Sequence, residues 1–104
     1  MTPEAKVKAS VVKLLKKYGV YHFFPATHGF GRSGVPDIIC CAKSLFVAIE
    51  CKAGKGTTTA LQDRELKRIA DNGGATFVID ETNQSVLESF LRGRLLTGED
   101  DDRC

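Results

Sequence analysis

The spacing of apolar residues along the chain predicts three helices and four strands. Helices are indicated where apolar residues recur every three or four positions, and strands where short runs of β-forming residues lie between turn residues. The helices are predicted at residues 3 to 18, 59 to 72 and 83 to 92, and the strands at 21 to 24, 37 to 42, 45 to 50 and 75 to 79. This order of elements predicts a small α/β domain.

The second and third strands form a predicted β-hairpin that organises the rest of the chain. Only Lys43-Ser44 separates them, so a turn centred there pairs residues whose numbers sum to 87. Asp37 then stands directly opposite Glu50, with the two Cβ atoms about 4.5 to 5.5 Å apart on one face, and Lys52 points to that face as well. Two carboxylates this close repel unless a proton or a cation lies between them. The register therefore predicts a site for a hard divalent cation beside a lysine.

Pro36 extends this prediction to the backbone. In the same register Pro36 faces Cys51, and proline has no N–H to donate. If the pair is of the hydrogen-bonded kind, the Cys51 carbonyl lacks its ladder donor and is free to bind a metal. A backbone N–H bonded to this carbonyl would remove the hypothesis. Both hairpin strands are apolar on both faces, which is typical of strands inside a sheet that is covered on both sides.

Each of the first two helices begins its apolar face with a polar residue. At about 100° per residue Glu4 falls on the middle of the first apolar stripe. It either complements the helix dipole in a solvated first turn or reaches toward the predicted metal site. Gln62 shares a face with Leu66 and Ile69, but it also stands three residues after Thr59 in a capping-box pattern, and capping alone could account for it.

Length and charge limit the possible functions. The 104 residues support one domain, predicted to span residues 1 to 96, followed by an acidic tail at 97 to 104 that is expected to be disordered. Residues 1 to 68 contain 12 basic and 5 acidic side chains, a net +7, whereas residues 69 to 104 contain 3 and 8, a net −5. A basic surface around an acidic metal centre suits a polyanion such as nucleic acid. The alternative is that the lysines of the first helix form a solvent-exposed face with no role in binding.

Several classes of protein are not expected. No apolar run approaches the roughly 20 residues that cross a membrane, and the N-terminus lacks the pattern of a signal peptide. A soluble, intracellular protein without a membrane partner is therefore expected. The cysteines at positions 40, 41, 51 and 104 have no zinc-type or disulfide-framework spacing, so reduced and mostly buried thiols are expected.

The stretch from residue 26 to 33 is a predicted glycine-rich loop just before the hairpin. It contains His28, Arg32 and Ser33, and its glycines allow the backbone to approach a phosphate closely. We consider these three residues, together with Lys55, candidate DNA contacts. For His28 an exposed loop position is the favoured interpretation, and Arg32 fits a phosphate contact and a surface charge equally well.

Four features in this order resemble the PD-(D/E)xK nuclease superfamily, and more specifically a stand-alone VRR-NUC domain, the virus-type replication and repair nuclease. They are an early helical Glu, Gly34-Val35-Pro36-Asp37, Glu50-Cys51-Lys52 and a helix that opens with Gln62. The resemblance covers roughly residues 3 to 80. It implies a restriction-endonuclease-like αβββαβ core, a mixed sheet flanked by helices, and Mg²⁺- or Mn²⁺-dependent hydrolysis of DNA phosphodiester bonds.

The resemblance also implies a biological setting. Small stand-alone members are similar to junction resolvases, so we expect an endonuclease that acts in DNA repair on branched DNA such as Holliday junctions or flaps. A homodimer is expected because resolving a junction takes two paired nicks. The cytoplasm of a bacterium or of a phage-infected host cell is the expected compartment.

The same resemblance implies roles for six residues. The metal ligands would be the carboxylates of Asp37 and Glu50, the Cys51 carbonyl and, often through water, Glu4. Lys52 would hold or activate the attacking water, and Gln62 would orient Lys52 or the phosphate. Two alternatives stay open. One is a non-catalytic nuclease-fold module that binds DNA, and the other is a structural α/β domain in which Lys52 forms an ion pair with Glu50 and Asp37 is an ordinary turn cap.

Overall fold

The computed structural model describes residues 1–26 and 31–95. The described residues form three helices and four strands in the order α1 (Pro3–Lys17), β1 (Tyr21–Phe23), β2 (Ile38–Ala42), β3 (Leu45–Cys51), α2 (Ala60–Asp71), β4 (Ala75–Ile79) and α3 (Gln84–Leu95). This order confirms the predicted α/β class and the αβββαβ core, and α3 follows that core. The predictions for His28, Cys104 and the acidic tail fall outside the described residues.

The four strands form one mixed sheet in the order β1-β2-β3-β4. The first three strands are antiparallel, and β4 runs parallel to β3. The predicted hairpin register is confirmed, because Ile38 pairs with Ile49 and Ala42 with Leu45. Lys43 and Ser44 have positive φ angles of 51° and 66°, as the two central residues of a type I′ turn require. The hairpin therefore lies in the middle of the sheet with the pairing that its two-residue turn predicts.

Helices cover both faces of the sheet. The larger core joins one face to α1 and α3, and its buried side chains include Val7, Val11, Leu15, Ile38, Val47, Ile49, Leu87 and Leu91. On the other face, Leu66 of α2 covers Ile39 and Ala48. Near the hairpin turn this second face is more open, since Phe46 is 49% exposed. Alternate residues of β2 and β3 thus belong to two separate cores.

Two local features define the start of α2, a capping box and a close approach of the segment that leads into β2. Thr59 caps α2, and Gln62 completes the predicted capping box. Gly34 has a φ of +78°, and a Cβ there would lie 2.5 Å from the Leu61 carbonyl oxygen. The loop before β2 therefore packs directly on the backbone at the start of α2, and only glycine allows this approach. No helix in the described part of the chain is long and apolar enough to cross a bilayer.

The structure also supports the expectation for two of the cysteines. Cys40 and Cys51 are buried thiols without a disulfide. Burial raises the pKa of each thiol to about 12, so both stay protonated near neutral pH. They therefore behave as small apolar core residues.

Candidate active site

The two predicted metal carboxylates lie on the sheet face that α2 covers, at the end of the sheet away from the hairpin turn. Asp37 comes one residue before β2, so extending the register by one pair places it opposite Glu50. Its Oδ2 atom accepts a hydrogen bond of 2.8 Å from the Cys51 amide, which fixes the side chain against β3. Glu50 is only 2% exposed. The structure therefore brings the two carboxylates together as the register predicts.

Among the described residues, one oxygen of the Glu50 carboxylate has hydrogen-bonding partners and the other has none. Oε2 accepts from the Gln62 side-chain amide at 2.8 Å and lies 3.3 Å from Lys52 Nζ. Oε1 is buried and has no hydrogen-bond donor among the described residues. Burial and the nearby charge of Asp37 raise the pKa of Glu50 to about 7, although the Lys52 ammonium acts in the opposite direction. A proton or a cation bound to this oxygen would offset the free-energy cost of burying it without a donor among the described residues.

Lys52 is held in this position by both its backbone and its side chain. Its amide donates to the Ile79 carbonyl of β4 at 2.9 Å, and its side chain is 12% exposed. A structural ion pair with Glu50 would predict the same 3.3 Å contact. It would also account for Asp37, whose carboxylate accepts from the Cys51 amide, but it leaves one buried Glu50 oxygen without a donor among the described residues, and this oxygen is what favours a functional site.

Gln62 has two structural roles. Its Oε1 atom accepts from the Thr59 amide at 2.9 Å, and Thr59 Oγ1 accepts from the Gln62 amide at 3.2 Å. Its Nε2 group donates to Glu50, so capping is not its whole role. One side chain therefore connects the start of α2 to the buried carboxylate and fixes the orientation of both.

Glu4 is less closely associated with the site. It lies exposed in the first turn of α1, and of the charges that affect the pKa of Glu50 its contribution is the smallest. Across residues 1–26 and 31–95, no group of three His, Cys, Asp or Glu side chains is arranged to hold a metal ion. Among side chains, the carboxylate pair of Asp37 and Glu50 is thus what the described chain offers to a cation, and a role for Glu4 stays a prediction.

The backbone at Cys51 has the geometry that the Pro36 hypothesis requires. The Cys51 amide points toward Asp37, whereas the next amide, of Lys52, points across to β4. The N–H and C=O of one strand residue point to the same side, so the Cys51 carbonyl faces Pro36, which has no N–H. None of the turn, loop or cap hydrogen bonds between described backbone groups ends on this carbonyl. Its use as a ligand stays a prediction.

Three of the predicted DNA contacts lie in the segments that flank the hairpin. Ser33 and Lys55 are exposed in turns before β2 and after β3. Arg32 is 58% exposed, but its Nε atom lies 3.6 Å from Oε1 of a buried acid, Glu65. Glu65 was not predicted as a site residue, although its four-residue spacing from Ile69 places it next to the apolar stripe of α2. Arg32 is therefore a partly paired cation in this structure.

The chemistry available at this end of the sheet is that of an oxygen-ligand cation site with an adjacent ammonium and amide. The donor set, two carboxylates with a possible backbone carbonyl, suits Mg²⁺ or Mn²⁺. The buried Glu50 oxygen without a donor among the described residues fits such a cation.

Comparison of the chain with protein-family models, with curated proteins and with solved structures found no match.

Proposed function

We propose that this protein is a Mg²⁺- or Mn²⁺-dependent endonuclease of the VRR-NUC type, which hydrolyses DNA phosphodiester bonds. One observation carries the proposal: the buried Glu50 carboxylate faces Asp37, binds Lys52 and Gln62 through one oxygen, and leaves the other without a donor among the described residues. Burying a carboxylate in this state destabilises a fold unless something compensates it. A cation between the two carboxylates would do so.

The residues around Glu50 have complementary tasks in this reaction. A divalent cation held by Asp37 and Glu50 would supply positive charge to the phosphate oxygens and make a nearby water more acidic. Asp37 is held in place by the Cys51 amide, and Gln62 fixes the Glu50 carboxylate. The Lys52 ammonium donates to the attacking water or to a non-bridging phosphate oxygen and offsets the negative charge that develops there.

Charge supports DNA as the substrate. Residues 1 to 68, which contain the site, have a net charge of +7, which attracts a polyanion to an acidic centre whose own charge the cation would neutralise. Branched DNA and a homodimer are part of the proposal by resemblance to the VRR-NUC domain. A nuclease-fold module that binds DNA without cutting it is the competing candidate. It has no need for opposed carboxylates, which repel phosphate.

A cleavage assay tests the proposal. A labelled four-way junction, a flap and a linear duplex are incubated with the protein and Mg²⁺ or Mn²⁺, and we expect cutting of the branched forms that EDTA abolishes. Lys52→Ala and Asp37→Asn should each lower the rate by about 100-fold or more, because each removes charge or geometry needed in the transition state. Lys16→Ala and Asp71→Asn, which change the same charges at exposed positions of α1 and α2, are the matched controls.

Two results would contradict the nuclease proposal. One is that the wild type cuts none of the three substrates with either metal. The other is that the two site variants cut as fast as their controls. Retained binding of the junction without cleavage would favour the non-catalytic module.

A further inference from the structure

A cleft lies on the same sheet face as the candidate active site. It has a volume of about 390 Å³, and the residues that matter for its chemistry are Arg32, Phe46, Glu65 and Arg68. We call it the Glu65 cleft. Glu65 follows Gln62 by three residues on α2, about one helical turn, and Phe46 lies further toward the hairpin turn. The cleft therefore begins next to the active site and continues along α2.

Glu65 is an unexplained charge in this position. The residue is 5% exposed, its Oε1 atom lies 3.6 Å from Arg32 Nε, and its Oε2 atom is buried with no hydrogen bond to any described residue. Its helix neighbours Leu66 and Ile69 pack as apolar residues, so an apolar side chain here would serve the core better. Because Glu65 lines the cleft, a ligand there would meet this carboxylate, and the exposed Arg32 side chain would have to move aside for it.

The other groups of the cleft suit a nucleotide. The Phe46 ring is 49% exposed and offers a flat surface on which a base can stack. Arg68 is exposed, and Arg32 is 58% exposed, so two guanidinium groups are available to phosphate. A carboxylate accepts from the exocyclic amino group of a base. The cavity volume is also within the range of small-ligand sites.

We infer that the Glu65 cleft binds one unpaired nucleotide of the DNA substrate, with its base stacked on Phe46, its amino group bonded to Glu65 and its phosphates held by Arg32 and Arg68. This inference rests on the proposed function, because the neighbouring active site is what makes nucleic acid the expected ligand. It adds a substrate feature: unpaired nucleotides next to the cleaved bond. Cytosine has the amino group that Glu65 requires, and thymine does not.

Binding without cleavage tests the inference. Fluorescence anisotropy with labelled single-stranded dC10 and dT10 is measured in EDTA at fixed salt. The wild type should bind dC10 about 5- to 10-fold more tightly than dT10, as one added hydrogen bond allows. Glu65→Leu should abolish this preference. Phe46→Ala should weaken the binding of both oligonucleotides by about 10-fold, since stacking on an aromatic ring does not depend on the identity of the base.

Matched variants show whether the effect belongs to the cleft. Val86→Ala truncates an exposed apolar residue of α3, and Lys16→Ala removes an exposed cation of α1, both on the other side of the sheet. We expect Val86→Ala to bind like wild type and Arg68→Ala to weaken binding several-fold more than Lys16→Ala. Arg68 is exposed, so its variant tests the cleft without disturbing the core.

Three results would overturn the inference. They are equal binding of dC10 and dT10 by the wild type, Phe46→Ala binding like Val86→Ala, and Arg68→Ala binding like Lys16→Ala. These binding results are independent of the result of the cleavage assay. Metal-dependent cutting with none of the expected binding differences would reject the cleft alone. The expected binding differences without any cutting would reject the nuclease alone.

Discussion

Glu50 is expected to make the metal-free protein less stable as the pH rises toward neutrality. Its pKa is about 7 in the folded protein against a usual value of 4.5, chiefly because of burial. The folded state therefore binds this proton more tightly than the unfolded chain does. The stability that the protonated group contributes is fully present below about pH 4.5 and is lost as the pH rises through about 7. At about 1.4 kcal/mol per pH unit, the difference amounts to about 3 kcal/mol.

The substitution Glu50→Gln isolates this effect, because glutamine has the shape of the protonated acid and does not titrate. Urea unfolding in EDTA between about pH 4 and about pH 9 should give similar free energies of unfolding for both proteins at about pH 4. At pH 8 and above, the variant should be more stable by about 3 kcal/mol. Asp71→Asn replaces an exposed carboxylate, and its free energy of unfolding should stay within about 0.5 kcal/mol of the wild-type value at every pH.

The result that refutes this reasoning is a difference between wild type and Glu50→Gln that stays constant across the pH range. The same measurement at pH 8 also tests the cation site. Adding Mn²⁺ should restore stability to the wild type by binding the folded state, and the variant should gain much less.

Two further predictions concern how the site is held. Gly34→Ala should destabilise the protein by about 2 to 4 kcal/mol in thermal unfolding, and Gly19→Ala by about 1 kcal/mol. Both glycines have positive φ, but only at Gly34 would a Cβ lie 2.5 Å from a backbone oxygen of α2, so equal losses would contradict that contact. Thr59→Ala should lose about 1 kcal/mol of capping. Gln62→Leu should lose a similar amount and also slow cleavage, because it removes the donor to Glu50; equal cleavage by the two variants would contradict this role.

The hairpin could be predicted because its pattern leaves little choice. Two apolar runs separated by two residues fix the pairing, and a shift by one residue would move every side chain to the other face. Lys43 and Ser44 are not the residues that usually adopt positive φ. The two-residue length of the loop therefore predicts the turn type here, whereas residue preference does not. The Thr59 and Gln62 capping box is likewise a local signal, and the structure contains it as predicted.

Contacts between distant segments could not be predicted from local patterns. Glu88 of α3 accepts hydrogen bonds of 2.8 Å from both Lys17 and Tyr18 at the end of α1. Neither helix pattern indicates that these ends meet. The contact between Arg32 and Glu65 is of the same kind, since one residue lies in a loop and the other on α2. Such pairs depend on the packing of elements, which periodicity does not specify.

Two buried carboxylates on one face of a small domain are better explained by function than by stability. Glu50 and Glu65 each leave one oxygen without a donor among the residues that the structure describes, and Gln62 lies between them on α2. A domain of this size is stable by only about 5 to 15 kcal/mol, so two such groups destabilise it appreciably. Binding sites and active sites commonly contain such destabilising groups because function requires them. Replacing either acid by an apolar or neutral residue should therefore stabilise the free protein. The replacement of Glu50 should also remove cleavage, and that of Glu65 should remove the base preference.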